Sequence, residues 1–99
     1  MRLTPENVKR IRELVGEIAS AEAEVYLFGS RLDDRARGGD VDLLLVLPHA
    51  VERPAELTAR LAARISRALG GRRVDVLLDA PNLRRLPVHE HARREGKRL

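Results

Sequence analysis

The apolar positions in the first third of the chain predict a helix followed by a strand. Thr4 and Pro5 suit a helix N-cap and the first helical position. Beyond them, apolar residues recur every three or four positions, which predicts an amphipathic helix over residues 5–19. Residues 24–28 are rich in strand formers and end at Gly29, so they predict a strand. The apolar helix positions are Val8, Ile11, Leu14, Val15 and Ile18.

The middle of the chain predicts a short helix, a polar turn and the most apolar strand. Ser30 is a good cap for a short helix over residues 31–35. Residues 33–39 hold two aspartates, two arginines and two glycines, a composition typical of a solvated turn. Residues 41–47 are almost wholly apolar and predict a strand that Pro48 ends.

The last half of the chain predicts two helical segments around a third strand. Pro54 opens a long helix that ends at the glycine pair 70–71, and residues 73–78 predict a strand. Residues 83–95 predict a charged helix, or two short ones because Pro87 interrupts the segment, with Gly96 as the stop. This order of elements predicts an α/β (α+β) fold in which helices cover a short sheet. The apolar face of the long helix carries Leu57, Leu61, Ile65, Ala68 and Leu69.

Length and composition limit the classes of protein that fit. The 99 residues predict one small domain over residues 1–99. No stretch is long and apolar enough to cross a bilayer, and the N-terminus lacks a secretory signal, so a cytoplasmic protein is expected. The chain has no cysteine, which excludes disulfides, thiolate metal sites and a cysteine nucleophile.

The net charge of +4 comes almost entirely from arginine. Arginine suits phosphate recognition because its planar fork donates two parallel hydrogen bonds, although a GC-rich genome produces the same bias. Tyr26 and Phe28 are the only aromatic residues, whereas single-strand nucleic-acid binders usually present several stacking platforms. A nucleic-acid partner is therefore not expected, and Arg60, Arg64 and Arg67 are interpreted as a solvated helix face.

Two aspartates at the start of the second strand carry the first chemical signal. Strand residues alternate faces, so Asp40 and Asp42 share one face, opposite the apolar positions that begin with Val41. Aspartate is disfavoured in strands, and two neighbouring carboxylates repel each other. A divalent cation such as Mg²⁺ would offset that cost, because hard cations take carboxylate oxygens as ligands. A solvated strand start without a metal is the alternative interpretation.

The third strand offers another carboxylate. Asp75 lies on the face opposite the apolar positions of that strand, so it stands beside Asp40 and Asp42 if the two strands are neighbours in one sheet. Three such carboxylates can hold two metal ions for phosphoryl transfer. The alternative role of Asp75 is an ion pair with Arg73, and Asp79 is interpreted as a turn residue.

Gly29 and Ser30 follow the first strand and open a helix. Glycine lets the backbone approach a phosphate, which the serine hydroxyl and the free amides of a helix N-terminus can hold. A dipeptide of this kind is also an ordinary turn, and the chain has no P-loop. His49, His89 and His91 lack the spacing of a zinc site.

Together these features resemble the signature of the polymerase-β-like nucleotidyltransferase superfamily. The Gly-Ser turn is followed by the nine residues 31–39 and then by an Asp-x-Asp strand. The match is closest to the minimal nucleotidyltransferase (MNT) group, whose members act as antitoxins beside HEPN-domain toxins. The resemblance covers nearly the whole chain, including the helix that ends in Glu95 and Gly96. The signature residues are Phe28, Gly29, Ser30, Arg31, Asp40, Val41, Asp42 and Leu43.

The resemblance implies a role for each matched residue. Asp40, Asp42 and Asp75 would be catalytic and would together bind two Mg²⁺ ions. Gly29, Ser30 and Arg31 would bind the phosphates of ATP. The implied activity is transfer of AMP to a hydroxyl, such as a tyrosine of a HEPN-type toxin, and a hetero-oligomer with that toxin is expected. The alternative is a non-catalytic antitoxin that neutralises its toxin by complex formation.

Overall fold

The computed structural model describes residues 3–29 and 41–99. Within those ranges it contains three helices and a four-stranded mixed sheet, which confirms the predicted α/β (α+β) class. The short helix and polar turn predicted between residues 31 and 39 lie outside the described residues. The elements in chain order are α1 (Pro5–Ile18), β1 (Glu24–Phe28), β2 (Val41–Val46), α2 (Pro54–Ala68), β3 (Val74–Asp79), α3 (Pro87–Glu95) and β4 (Lys97–Arg98).

Local signals set most of these boundaries. Thr4 caps α1 by accepting a hydrogen bond from the Asn7 amide at 3.1 Å, as a threonine N-cap does. Helix α2 begins at Pro54 and stops before Gly70 and Gly71, whose φ angles of 76° and 90° no other residue type adopts easily. The predicted starts of the two long helices, at Pro5 and Pro54, are thus confirmed.

The sheet order is β3-β2-β1-β4. Strand β1 is antiparallel to both β2 and β4, whereas β2 and β3 are parallel. A parallel pair needs a long crossover connection, and α2 supplies it. The consequence is that β2 and β3 begin at the same edge of the sheet, next to the point where β1 ends.

The main core lies between one sheet face and the helices α1 and α2. Val41, Leu43 and Leu45 of β2 point into it, as their alternation predicted. On the opposite face Leu44 is also fully buried, because α3 packs against β1 and β2 there. Near the starts of β2 and β3 on that face, Asp42 is half-buried and Asp75 is exposed. The buried apolar residues of the two long helices are Ile11, Leu14, Val15, Leu61 and Ile65.

The C-terminal segment differs from its prediction in two respects. Pro87 does not interrupt a helix; it is the first residue of α3, where a missing amide proton costs nothing. Gly96 ends α3 as predicted, but Lys97 and Arg98 then pair with β1 as a fourth strand. Two charged residues carry no strand signal, so this pairing depends on the free edge of β1.

The interpretation of Asp79 as a turn residue is wrong. It is the last residue of β3 and is buried, and its Oδ2 accepts a hydrogen bond from Arg85 Nη2 at 2.7 Å. Arg85 also donates to Glu90 at 3.0 Å, so one guanidinium ties β3 to α3. The hydrogen bond and charge of Asp79 raise the pKa of Arg85 above its usual value.

His89 anchors α3 to the sheet. Its Nδ1 accepts a hydrogen bond from the Leu86 amide at 2.9 Å, which places the ring proton on Nε2. That nitrogen lies 3.0 Å from the Leu78 carbonyl oxygen and donates to it. The ring is buried, so this histidine, which the sequence placed in a charged helix, has a structural role.

His89→Leu is expected to lower the free energy of unfolding by about 2 kcal/mol, because it leaves the Leu78 carbonyl, whose hydrogen bond is buried, and the partly buried Leu86 amide without the histidine partner. Urea denaturation measures the change. His91→Leu is the matched control, since His91 is exposed on the same helix and its replacement should change stability by less than about 0.5 kcal/mol. Equal stabilities of the two variants would contradict the anchoring role.

Candidate active site

The starts of β2 and β3 bring two carboxylates together. Asp42 and Asp75 are each the second residue of their strand, and they are directly paired in the parallel register. Neighbouring strands lie about 4.8 Å apart, so paired residues project from the same face at short range. The prediction that Asp75 stands beside Asp42 if the two strands are neighbours is confirmed by this register.

Gly29 lies beside Asp42, at the end of β1. Phe28, the last residue of β1, pairs with Asp42, so Gly29 follows immediately beside the carboxylate. Its φ angle is 77°, a left-handed conformation that glycine adopts without a steric penalty. A Cβ built on Gly29 would lie 2.6 Å from Asp42 Oδ2. The backbone at the end of β1 can therefore lie against the Asp42 carboxylate only because the residue is glycine.

The two aspartates differ in exposure. Asp42 is half-buried between β1 and β3, whereas the Asp75 side chain is 55% exposed. Arg73, two residues before Asp75 and on the same face, places its Nε 3.8 Å from Asp75 Oδ1. The alternative prediction of an Arg73–Asp75 ion pair is thus confirmed. An exposed pair of this kind contributes little, about 0–1 kcal/mol, so it leaves Asp75 able to accept other cations.

Three of the six predicted site residues lie within the described ranges. The structure brings Gly29, Asp42 and Asp75 together at one edge of the sheet, which we call the carboxylate edge. Ser30, Arg31 and Asp40 lie outside the described residues. Within residues 3–29 and 41–99, no cluster of three or more histidine, aspartate or glutamate side chains could hold a metal ion. The third ligand position therefore stays a prediction for Asp40.

The donor chemistry of the described residues fits a hard divalent cation. Two carboxylates in register on neighbouring strands provide oxygen ligands on one face, as Mg²⁺ sites in phosphoryl-transfer enzymes commonly do with one or two carboxylates plus substrate phosphates. The glycine at position 29 allows the backbone to lie against the Asp42 carboxylate, which a Cβ would approach to 2.6 Å. An arrangement of this kind can bind a metal-complexed polyphosphate and place it against a carboxylate base.

The structure adds Arg73 to the site as more than a partner of Asp75. The signal in the sequence is its i−2 spacing from Asp75 in a strand, which places it on the carboxylate face. The structure adds that its backbone is fixed, because the Val41 amide donates to the Arg73 carbonyl at 2.8 Å. The site therefore has a cationic side chain on a fixed backbone next to its two described carboxylates.

Comparison with known proteins supplies the class. The family model of the nucleotidyltransferase domain matches residues 8–96. No curated protein and no solved structure matches the chain significantly. The chain therefore belongs to the nucleotidyltransferase domain family, and its helices and mixed sheet agree with the fold of that family.

Membership gives a general chemistry for the chain. Proteins of this family transfer nucleotidyl groups and generally use a nucleotide substrate with Mg²⁺. The described helices include none that is long and apolar enough to cross a membrane.

Proposed function

We propose that this chain is an antitoxin that transfers AMP from ATP, with Mg²⁺, to a tyrosine hydroxyl of a HEPN-type toxin and thereby neutralises it. The observation that carries the catalytic part is the register pair of Asp42 and Asp75 with Gly29 against Asp42. The choice of acceptor and partner is supported by the resemblance of the Gly-Ser and Asp-x-Asp signature to the MNT antitoxins.

The proposed reaction is a substitution at the α-phosphorus of ATP. The acceptor oxygen forms a new bond to this phosphorus, the bond to the β-phosphate oxygen breaks, and pyrophosphate leaves with that electron pair. Asp75 accepts the proton of the attacking hydroxyl, since its exposed carboxylate can reach an incoming side chain. Bound Mg²⁺ would neutralise the phosphate charge that develops during transfer.

The remaining residues of the proposed site bind and orient the nucleotide. Asp42 and Asp75, with Asp40, would hold the metal ions, and the position of Asp42 is set by β1 on one side and β3 on the other. Gly29 allows the phosphates to approach the backbone, and Ser30 and Arg31 would donate to phosphate oxygens. No residue of the chain forms a covalent intermediate in this scheme.

A partner is proposed to complete the nucleotide site. Among the described residues, a cavity of about 510 Å³ lies between α1 and the β1–β4 edge, but Gly29, Asp42 and Asp75 do not line it, so it does not hold a base beside the two carboxylates. A toxin surface laid over the carboxylate edge would enclose the base and also present the acceptor hydroxyl.

The decisive experiment incubates the protein with its HEPN partner, Mg²⁺ and ATP labelled at the α-phosphate. We expect label on the partner, none when EDTA is added, and none when the label is moved to the γ-phosphate, because that phosphate leaves with pyrophosphate. Mass spectrometry of the labelled partner then locates the acceptor. A tight complex without label would support the non-catalytic antitoxin instead, and label from the γ-phosphate would indicate a kinase.

A further inference from the structure

Arg73 combines a hydrogen-bonded backbone with an exposed side chain at the carboxylate edge. Its carbonyl accepts the Val41 amide at 2.8 Å, which holds its backbone at the start of the parallel pair. The side chain is 73% exposed, and its ion pair among the described residues is a long one, with 3.8 Å between Arg73 Nε and Asp75 Oδ1. A guanidinium held this loosely can exchange one anion for another at little cost.

The neighbouring arginines are less suited to such an exchange. Arg72 has its Nη1 buried, with no hydrogen-bond partner for that atom among the described residues, so it is enclosed rather than free to swing outward. Arg85 is held by hydrogen bonds to Asp79 and Glu90 at the other end of β3. Of these three arginines, Arg73 is therefore the one placed to reach a ligand bound at Asp42 and Asp75.

We propose that Arg73 alternates between two anionic partners during the reaction cycle. Without metal it pairs with Asp75; when a divalent cation takes the Asp75 carboxylate, the released guanidinium binds a phosphate oxygen of the nucleoside triphosphate. This assignment rests on the proposed function, because it uses Asp75 as a metal ligand. Arg73 is then a substrate-binding residue, and its planar fork matches two oxygens of one phosphate group.

The exchange predicts effects of opposite sign on two ligands. Arg73→Gln removes the cation that competes for Asp75, so Mn²⁺ alone should bind about 2- to 5-fold more tightly. The same change removes a charge-assisted contact to phosphate, so the Mn²⁺ complex of α,β-methylene-ATP should bind about 10-fold more weakly. Titration calorimetry measures both affinities without turnover, since the analogue cannot transfer its nucleotidyl group.

Two further variants separate this role from general charge effects. Arg53→Gln removes the same charge from another exposed arginine–carboxylate pair, Arg53 with Glu56 at 3.5 Å, away from the site, and should change neither affinity. Arg73→Lys keeps the charge but not the fork. It should therefore retain the metal affinity of the wild type and bind the analogue with an affinity between those of the wild type and Arg73→Gln.

The outcomes distinguish the two levels of the proposal. If the wild type binds both ligands and Arg73→Gln changes neither affinity, the alternation is wrong. It is also wrong if Arg73→Gln weakens the binding of both ligands, a result that would indicate a structural role for Arg73. If the wild type binds neither Mn²⁺ nor the analogue, even with its partner present, the proposed nucleotidyl transfer itself fails.

Discussion

Asp42→Asn is expected to reduce nucleotidyl transfer by about 10²- to 10³-fold, the range seen when one preorganised electrostatic group is removed from an active site. The substitution keeps the size of the side chain and one oxygen, but it removes the negative charge that a metal ion requires. Because Asp42 is paired with Asp75, the loss of one charge also removes a repulsion in the metal-free protein.

Three measurements test this expectation together. Label transfer gives the rate, and co-purification with the partner shows that the complex persists. The rise in thermal midpoint on adding Mn²⁺ reports metal binding independently of turnover and should be lost in Asp42→Asn. Glu13→Gln, a change of an exposed carboxylate on α1, is the matched control and should behave as the wild type. An Asp42→Asn variant that protects cells as well as the wild type would show that transfer is not the neutralising mechanism.

Gly29→Ala should damage both stability and activity. The left-handed φ angle of 77° costs a non-glycine residue about 1 kcal/mol, and the new Cβ would lie 2.6 Å from Asp42 Oδ2. Two atoms cannot stay at that separation, so the carboxylate or the end of β1 must move. A displacement of about 1 Å is enough to lower a transfer rate by about 10²-fold.

Gly70→Ala separates the two causes. Gly70 has nearly the same φ angle, 76°, but its added Cβ would meet no atom within 4 Å. Both variants should lose about 1 kcal/mol of unfolding free energy from the backbone conformation, and Gly29→Ala should lose more. Only Gly29→Ala should lose transfer activity and metal-induced stabilisation. Equal activities of the two variants would refute a functional contact between Gly29 and Asp42.

Local sequence signals account for most of the elements. Thr4 and Pro5 begin α1, Pro54 begins α2, and the alternation in β2 separates the core face from the aspartate face, because each signal acts within one or two turns of chain. Two predictions were wrong for different reasons. Residues 97–98 become a strand by pairing with β1, which is distant in sequence. Asp79 becomes a buried partner of Arg85, six residues further along the chain, because the segment between them turns back toward the end of β3.

The sequence by itself determined the family signature, the chemistry of the predicted ligands and the face on which each aspartate of a strand lies. Only the tertiary structure decided that Asp75 stands beside Asp42, since α2 carries the chain over the sheet and the parallel register aligns the two strand starts. It also decided that Gly29 lies against Asp42, because the antiparallel register of β1 and β2 pairs Phe28 with Asp42. Strand neighbours and register depend on packing between distant segments, whereas side-chain alternation is a property of the backbone alone.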